Sequence, residues 1–361
     1  MFKRFTRFHD IGFHDNRLVW MNDDFTSDTF LPRLAVIGAG GQGCNLVNRL
    51  YRAGIKSATT IAVNTDVKHL EIVGAHKKLL LGKAITKGLG AGGFPEVGAK
   101  AAEASKEDIR QAIAGNNMIF IAAGMGGGTG GGSAPIIADI AREEGMLVVA
   151  FVTYPFALER SRKNRADFSI AQLTRSADTT IIIENDKILS YAPNLQMEKA
   201  FELIDSIACN AVKGIADTIT LPSLINLDFA DVRSIMGGAG TAVINIGVGA
   251  GTDKVDKAIS STVGHPLMDV DLTGAKKAMI HVTGSTGLTI EEATRVGSGV
   301  TNGMADDANV IFGARLEPDV RDEIRVMSIV TGVKPKLGQS RQKARDEAER
   351  ATASVSGIES W

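Results

Sequence analysis

From Leu34 onward the chain alternates short unbroken apolar runs with stretches in which apolar residues recur every three or four positions. LAVIG (34–38), TTIAVN (59–64), KLLLG (78–82), NMIFIAAG (117–124), MLVVAFVTYPF (146–156) and TTIIIEND (179–186) have the continuous apolar character of strands buried on both faces. GCNLVNRLYRAG (43–54), a start at Thr65–Asp66, PEVGAKAAEASKEDIRQAIAG (95–115) and SAPIIADIAREEG (133–145) read as helices, the third as one long helix. This alternation predicts a parallel α/β sheet covered on both faces, with ligands at the carboxyl ends of its strands. Residues 196–220 differ. Met197, Phe201, Ile204, Ala208, Ala211, Ile215 and Ile219 repeat at helical steps, and Leu203, Ile207 and Val212 widen the apolar face. So apolar a helix is best buried between two packed units. Strands at TAVINIGVG, AMIHVTGS, NVIFGARL and IRVMSIVTG, with helices near 253–263 and 289–304, then predict a second α/β unit with a smaller sheet. Residues 1–31 and 334–361 lack a sustained period and read as a flexible arm and tail.

Composition changes the picture at one point. Forty of 361 residues are glycine, about 11% against a typical ~7%, and they cluster where strands end and helices begin. Residues 124–132 read GMGGGTGGG, after an apolar strand and before a helix. Side-chain-free backbone feeding a helix N-terminus presents several N–H donors to one anion, so this run predicts a phosphate cradle. A flexible linker is the alternative, but linkers are not flanked by a buried strand and a helix. The first glycine loop, GAGGQG (38–43), matches the dinucleotide fingerprint, with Asp66 about 23 residues on as the acidic partner. A nicotinamide oxidoreductase is therefore a rival, although it leaves the richer second loop unexplained. TKGLGAGGFPEVG (86–98) is a third candidate loop, and no G-x-x-x-x-G-K-[ST] occurs.

A net charge of −1 gives no reason to expect nucleic acid as a partner. Cys44 and Cys209 have no metal-ligand spacing, no run reaches the ~18 apolar residues of a membrane span, and the N-terminus lacks a signal-peptide core. A cytoplasmic protein is the expectation. The FKRFTRF stretch of the arm is read as a disordered extension, with contact to a partner or membrane surface as the alternative.

GGGTGGG (126–132) closely resembles the tubulin-superfamily signature GGGTG[ST]G, and NLDFADV (226–232) resembles the catalytic loop of the FtsZ family of cell-division GTPases. The likeness continues through NTD (64–66), GLGAGG (88–93), TYPF (153–156), END (184–186), the apolar helix and Thr331–Gly332. It covers roughly residues 33–333, and the wording GAGGQGCN is closer to archaeal members. The resemblance implies a Rossmann-like GTP-binding domain with a parallel sheet (32–195), a long central helix (196–222) and a smaller α/β C-terminal domain (223–333) that activates hydrolysis and carries polymerisation. It further implies GTP/GDP as ligands, Mg²⁺ held mainly through phosphates and water, and head-to-tail self-assembly in the cytoplasm at the division site. Membrane-anchor or division-ring proteins would be met through the tail, where Ile358 and Trp361 are isolated apolar residues. A slowly hydrolysing scaffold of the same fold is the alternative.

The nucleotide-binding set that this likeness carries over comprises Gly40, Gly41, Gln42, Asn45, Asn64, Asp66, Gly90, Ala91, Gly92, Gly126, Gly127, Gly128, Thr129, Gly130, Gly131, Thr153, Pro155, Glu159, Arg162, Lys163, Asn185, Phe201 and Asp205. Guanine presents two donors on one edge, so a carboxylate suits it. Asp205 lies one helical turn after Phe201, which can pack on the base, and Asn185 is a second base or ribose contact. Asn226, Asp228 and Asp231 are the catalytic set, orienting a water toward the γ-phosphate. The alternative for the acids, helix N-capping, accounts for one Asp but not the whole motif. They follow the far end of the long helix, roughly 30 Å from the glycine loops for ~20 residues, and so would act on a neighbour's nucleotide. Two departures from the family pattern stand out. Lys163 replaces an arginine whose role could pass to Arg162 or be filled less specifically by Lys163 itself, and Gly131 replaces a Ser or Thr, which predicts one lost hydroxyl contact to phosphate while Thr129 keeps another.

Overall fold

The glycine-bounded apolar runs become parallel strands because their side chains are buried on both faces of the sheet, except the run at 78–82, whose strand lies at the sheet edge with Lys77 and Lys78 exposed and Leu79 and Leu80 half-buried. The structure is a computed structural model that describes residues 31–187, 194, 196–221, 223–264, 272–318, 320 and 322–333. β1 (Leu34–Ala39), β2 (Thr59–Asn64), β3 (Lys77–Leu80), β4 (Met118–Gly124), β5 (Leu147–Tyr154) and β6 (Thr179–Glu184) lie in the order 3-2-1-4-5-6, each parallel to its neighbour. The order reverses between β1 and β4, and a crevice opens at the carboxyl ends of strands at such a point. The arm and tail expectations, with Ile358 and Trp361, lie outside the described residues apart from Leu31.

The helices that cover these strands are α1 (Gly40–Arg52), α2 (Val67–Ile72), α3 (Lys83–Thr86), α4 (Pro95–Glu103), α5 (Lys106–Ile113), α6 (Gly128–Glu143) and α7 (Arg160–Ser176), followed by α8 (Met197–Thr220). The single helix expected over 95–115 is two. Ser105 leaves the helical region, with φ −112° and ψ 18°, and its buried hydroxyl accepts the Gly82 N–H at 2.9 Å. That bond ties the break to the loop after β3. α7 was not anticipated; its buried positions are Ala166, Ser169, Leu173 and Ser176, a stripe with one large apolar residue.

α9 (Phe229–Met236), β7 (Gly240–Ala250), α10 (Lys254–Val263), β8 (Lys277–Gly284), α11 (Ile290–Thr301), β9 (Asn309–Leu316) and β10 (Glu323–Thr331) complete the described chain. Their strands do not form a separate sheet. β7 pairs in parallel with β6 over Thr179–Ile181 and Gly240–Ala242, which makes one ten-stranded sheet continuing β6-β7-β10-β8-β9. β10 runs antiparallel to both β7 and β8. α8 is buried as its periodicity demands: Ile204, Ala208, Ala211, Val212 and Ile215 share one apolar cluster with Val47 and Leu50 of α1 and with Ile244 and Ile329. Cys44 and Cys209 are free thiols, both pushed up to about 12 by burial and therefore inert. Among the described residues no helix is long and apolar enough to cross a membrane.

Candidate active site

The two glycine loops follow β1 and β4, the strands that flank the point of reversal, and they meet backbone to backbone. Gly40 has φ +72°, and a Cβ there would stand 2.8 Å from the Gly130 nitrogen. A Cβ at Gly43 would stand 2.1 Å from the Ala122 carbonyl oxygen, and one at Gly128 would stand 2.8 Å from the Ala91 methyl. Glycine is required here for close approach rather than for flexibility. Gly126, at φ +86°, makes the turn into α6. Its N-cap, Gly127, offers no side-chain acceptor, and neither does Ala39 ahead of α1. The first N–H groups of both helices are therefore uncapped, and both helix dipoles favour an anion between them.

A cleft of about 480 Å³ lies over these loops. Of the expected residues it is lined by Gly41, Gln42, Gly127, Gly128, Thr129, Gly130, Thr153, Pro155, Glu159, Arg162, Asn185 and Phe201. Ala39, Met125 and Phe156, which lie inside the quoted motifs but were not among the expected residues, line it too, as does Leu158, which lies outside them. Asn185 is 4% exposed, and neither its Oδ1 nor the buried Nε2 of Gln42 has a hydrogen-bond partner. Two orphaned amide groups in one cleft suit a ligand rich in donors and acceptors. Phe201 is 40% exposed and meets Phe156 edge to face, with ring centroids 5.9 Å apart. Its exposed part borders the cleft.

Other expected residues shape the cleft from behind. The Thr129 hydroxyl is bonded to that of Thr65 at 2.6 Å, so Thr65, expected only as part of a helix start and the NTD motif, links the loop after β2 to α6. Asn64 accepts the Thr65 N–H at 2.8 Å. Asp66 caps α2 by accepting the His69 N–H at 3.2 Å through one oxygen. Gly90 and Gly92 have positive φ and carry their loop so that Ala91 packs against Gly128. Arg165 of α7 donates to the Gly93 carbonyl of that loop. Asn45 is exposed on α1 and does not line the cleft.

Asp205 lines a small adjoining cavity with Gln42 and Thr153. Burial pushes its carboxyl up to about 6, against the opposing pull of Arg49. Lys163 does not line the cleft: its ammonium lies 3.4 Å from the Asp186 carboxylate and 5.6 Å from the centre of the Tyr154 ring. Arg162, paired with Glu159, faces the cleft instead.

Gly131 overturns an expectation. A Cβ at this position would meet the Ser169 hydroxyl at 2.7 Å and Pro95 at 3.9 Å, so it points into the packing of α6 on α7 and α4. Gly131 does not line the cleft, and a side chain there would face protein rather than the cleft. The Ser169 hydroxyl, wholly buried and without a partner, takes up that space.

The acidic loop is elsewhere. Asn226, Asp228 and Asp231 follow the C-terminal end of α8, whereas the cleft meets its N-terminal end at Phe201. Asp228 is the N-cap of α9 and accepts the Asp231 N–H at 2.8 Å, while Asp231 accepts the Asp228 N–H at 3.1 Å. Capping thus uses both acids, not one as expected, because the spacing is that of a reciprocal capping box. Each carboxylate keeps its second oxygen. Asn226 accepts the Ser223 N–H at 2.6 Å, and Leu224 and Ile225 beside it are exposed.

Comparison with known proteins agrees with this architecture. Residues 33–193 match the family model described as "Tubulin/FtsZ family, GTPase domain", and residues 240–334 match "FtsZ family, C-terminal domain". The chain is 48% identical over 318 residues to cell division protein FtsZ 2 of Methanocaldococcus jannaschii, covering 87% of this chain and 83% of that protein. It is 43% identical to cell division protein FtsZ 2 of Haloferax volcanii, covering 90% and 81%. An empty FtsZ dimer of M. jannaschii superposes with a TM-score of 0.80 at 41% identity, covering 85% of this chain and 90% of that one.

Proposed function

This chain belongs to the tubulin/FtsZ family of GTPases, and from that premise we propose that it hydrolyses GTP at a composite site, with acids supplied by the next subunit of a head-to-tail filament. One observation carries the proposal: the phosphate cleft and the acidic loop sit at opposite ends of α8. Its 24 residues span about 36 Å at 1.5 Å per residue, beyond the reach of any side chain. Heterologous contacts that do not close build filaments, and exposed Leu221, Leu224 and Ile225 flank the loop that would enter the neighbour's cleft.

In this reading residues 32–195 bind the nucleotide, 196–222 connect, and 223–333 activate. The uncapped N–H groups of α1 and α6 bind the phosphates, Phe201 packs on guanine, and Asp205 with Asn185 reads its edge. Glu159 and Arg162 sit toward the ribose and phosphates. No group of three or more His, Cys, Asp or Glu side chains is gathered among the described residues. A Mg²⁺ ion would accordingly be held mainly by phosphate oxygens and water, offsetting triphosphate charge. The relatives' names place them in cell division, and we assign this chain the same role: a cytoplasmic filament at the division site, reached by membrane-anchor or ring proteins through residues 334–361.

Mixing two inactive variants tests the composite site. Asp231→Ala keeps a sound cleft, and Gly41→Asp, which sets a carboxylate in the cleft at a position where nothing lies within 4 Å of an added Cβ, keeps a sound acidic loop. Each alone is expected to turn over GTP at least tenfold more slowly, and the mixture to recover a substantial part of the lost rate. A mixture no faster than its components, with co-assembly shown by sedimentation, sinks catalysis in trans.

A further inference from the structure

The start of α6 is held between two walls, and one side chain ties the walls together. On one side is the backbone of α7, where a Cβ at Gly126 would stand 2.7 Å from the Arg162 carbonyl oxygen. On the other are the third glycine loop and α4. A Cβ at Gly128 would stand 2.8 Å from the Phe94 nitrogen, and one at Gly98 would stand 2.2 Å from the Gly128 carbonyl oxygen.

The third loop has little to fix it. Its first part is fastened to the chain after β2: the Gly90 N–H donates to the Thr65 carbonyl and the Val67 N–H to the Gly88 carbonyl, both at 3.1 Å. Ala91, Gly92 and Gly93 carry no polar side chain, and the two glycines have φ of +61° and +80°. Among the described residues, the hydrogen bond that reaches these three from another element runs from Arg165 Nη1 to the Gly93 carbonyl. Arg165 shares a face of α7 with Arg162 and Ser169, so the helix that meets α6 at Gly131 also carries this strap.

Arg165 is half-buried, and its Nε is buried without a partner. Arg162 and Lys163 on the same helix pair with Glu159 and Asp186, whereas Arg165 turns its guanidinium to a glycine carbonyl. A buried, unpaired guanidinium N–H is unfavourable, and an apolar side chain could cover the same surface without it. The bond to Gly93 is what the arginine adds. Strand order then shows which part of a nucleotide it concerns. The strands lie in the order 3-2-1-4-5-6. With guanine at Phe201 and Asn185, after β6, and phosphates at the helix starts after β4 and β1, the last phosphate points toward the side of β2 and β3, where the third loop lies.

We propose that Arg165 is a positioning residue: by strapping residues 91–93 to α7 it keeps the cradle closed on the terminal phosphate and sets how long GTP, but not GDP, is retained. This role rests on the GTP-binding reading above and falls to a residue outside every motif quoted for that reading.

The test uses the full chain with Mg²⁺, at a concentration where sedimentation shows no assembly. Stopped flow follows release of fluorescently labelled GDP and of a labelled GTP analogue with a methylene bridge between its last two phosphates. Arg165→Ala is expected to release the analogue about fivefold faster or more, as loss of a charge-assisted bond predicts, while GDP release changes less than about twofold. The bond is single rather than bidentate, so Arg165→Lys should recover at least half of the lost retention. If Arg165→Ala does not fold, Arg165→Gln keeps most of the stem, removes the charge and should give the same selective loss. Equal acceleration for both nucleotides makes Arg165 purely structural and overturns the proposal, as does unchanged release of the analogue. A wild type that retains neither label sinks the GTP-binding reading itself, which is a separate failure.

Discussion

The two ends of α8, proposed above to serve the chain's own nucleotide and its neighbour's, are built from different materials. At its N-terminal end the site is mostly backbone: uncapped helix starts and glycines held so closely that a methyl group at Gly43 would overlap the Ala122 carbonyl. At its C-terminal end the candidate groups are side chains on an exposed loop, held by the capping box of α9. Backbone sites depend on packing, so their function and stability fail together. Side-chain sites on exposed loops can lose chemistry and keep the fold.

The largest expected effect tests the first half of that contrast. Gly43→Ala places a Cβ 2.1 Å from a buried carbonyl oxygen, an overlap that costs about 3 kcal/mol or more. Both the urea midpoint and nucleotide retention should fall; an Ala variant that binds GTP normally breaks the claim that the cradle is packing-limited. The second half is tested at Asp228, where capping and charge can be separated. Asp228→Ala should lose about 1 kcal/mol of stability with the cap and about 100-fold in turnover. Asp228→Ser keeps a capping oxygen and removes the charge, so it should lose the turnover alone. A Ser variant with normal turnover reduces Asp228 to a cap.

A smaller effect concerns Asp205, which stands between the two regimes as a half-buried side chain beside the cleft. Its carboxyl titrates near 6, above its ordinary 3.8. The folded protein therefore holds this proton more tightly than the unfolded chain does, and the stability Asp205 contributes falls as pH rises from about 4 through 6. Guanine recognition needs the ionised form, so GTP affinity should move the other way, weakening as pH drops below 6. Comparing the wild type with Asp205→Asn at pH 5 and 7, by urea midpoint and by GTP titration, should give these opposite signs. A pH-independent difference in affinity removes Asp205 from base recognition.

How much of this was legible in the sequence follows the same division. The parallel strands and α8 were readable because their burial is written in large apolar residues, and the glycine loops because glycine is conspicuous. α7 was not, since its buried stripe is Ala166, Ser169 and Ser176 around a single Leu173. The break between α4 and α5 was hidden because it depends on a bond from Ser105 to Gly82, 23 residues away. Thr65 and the pairing of Lys163 with Asp186 are likewise tertiary facts. The capping box was spelled out by Asp228 and Asp231, yet the chemical reading of both acids obscured it.

The misreading of Gly131 follows from the missing helix. Without α7 the only evident neighbour of that glycine was the phosphate site, and a hydroxyl there could be assigned only to the ligand. With α7 in place the direction is set: a Cβ at 131 runs into the Ser169 hydroxyl. Gly131→Ser should therefore leave GTP affinity within about threefold, since a factor of 10 needs 1.4 kcal/mol of new contact. It should lower stability instead, by about 1–2 kcal/mol through overpacking. Ser169→Ala in the same chain removes the opposing oxygen and should restore most of that loss, an interaction that a double-mutant cycle of urea midpoints measures directly. Additive losses would mean that the two hydroxyls do not compete for one space. A tenfold gain in affinity from Gly131→Ser would return residue 131 to the phosphate site and make the boundary between cradle and scaffold wider than one helical turn.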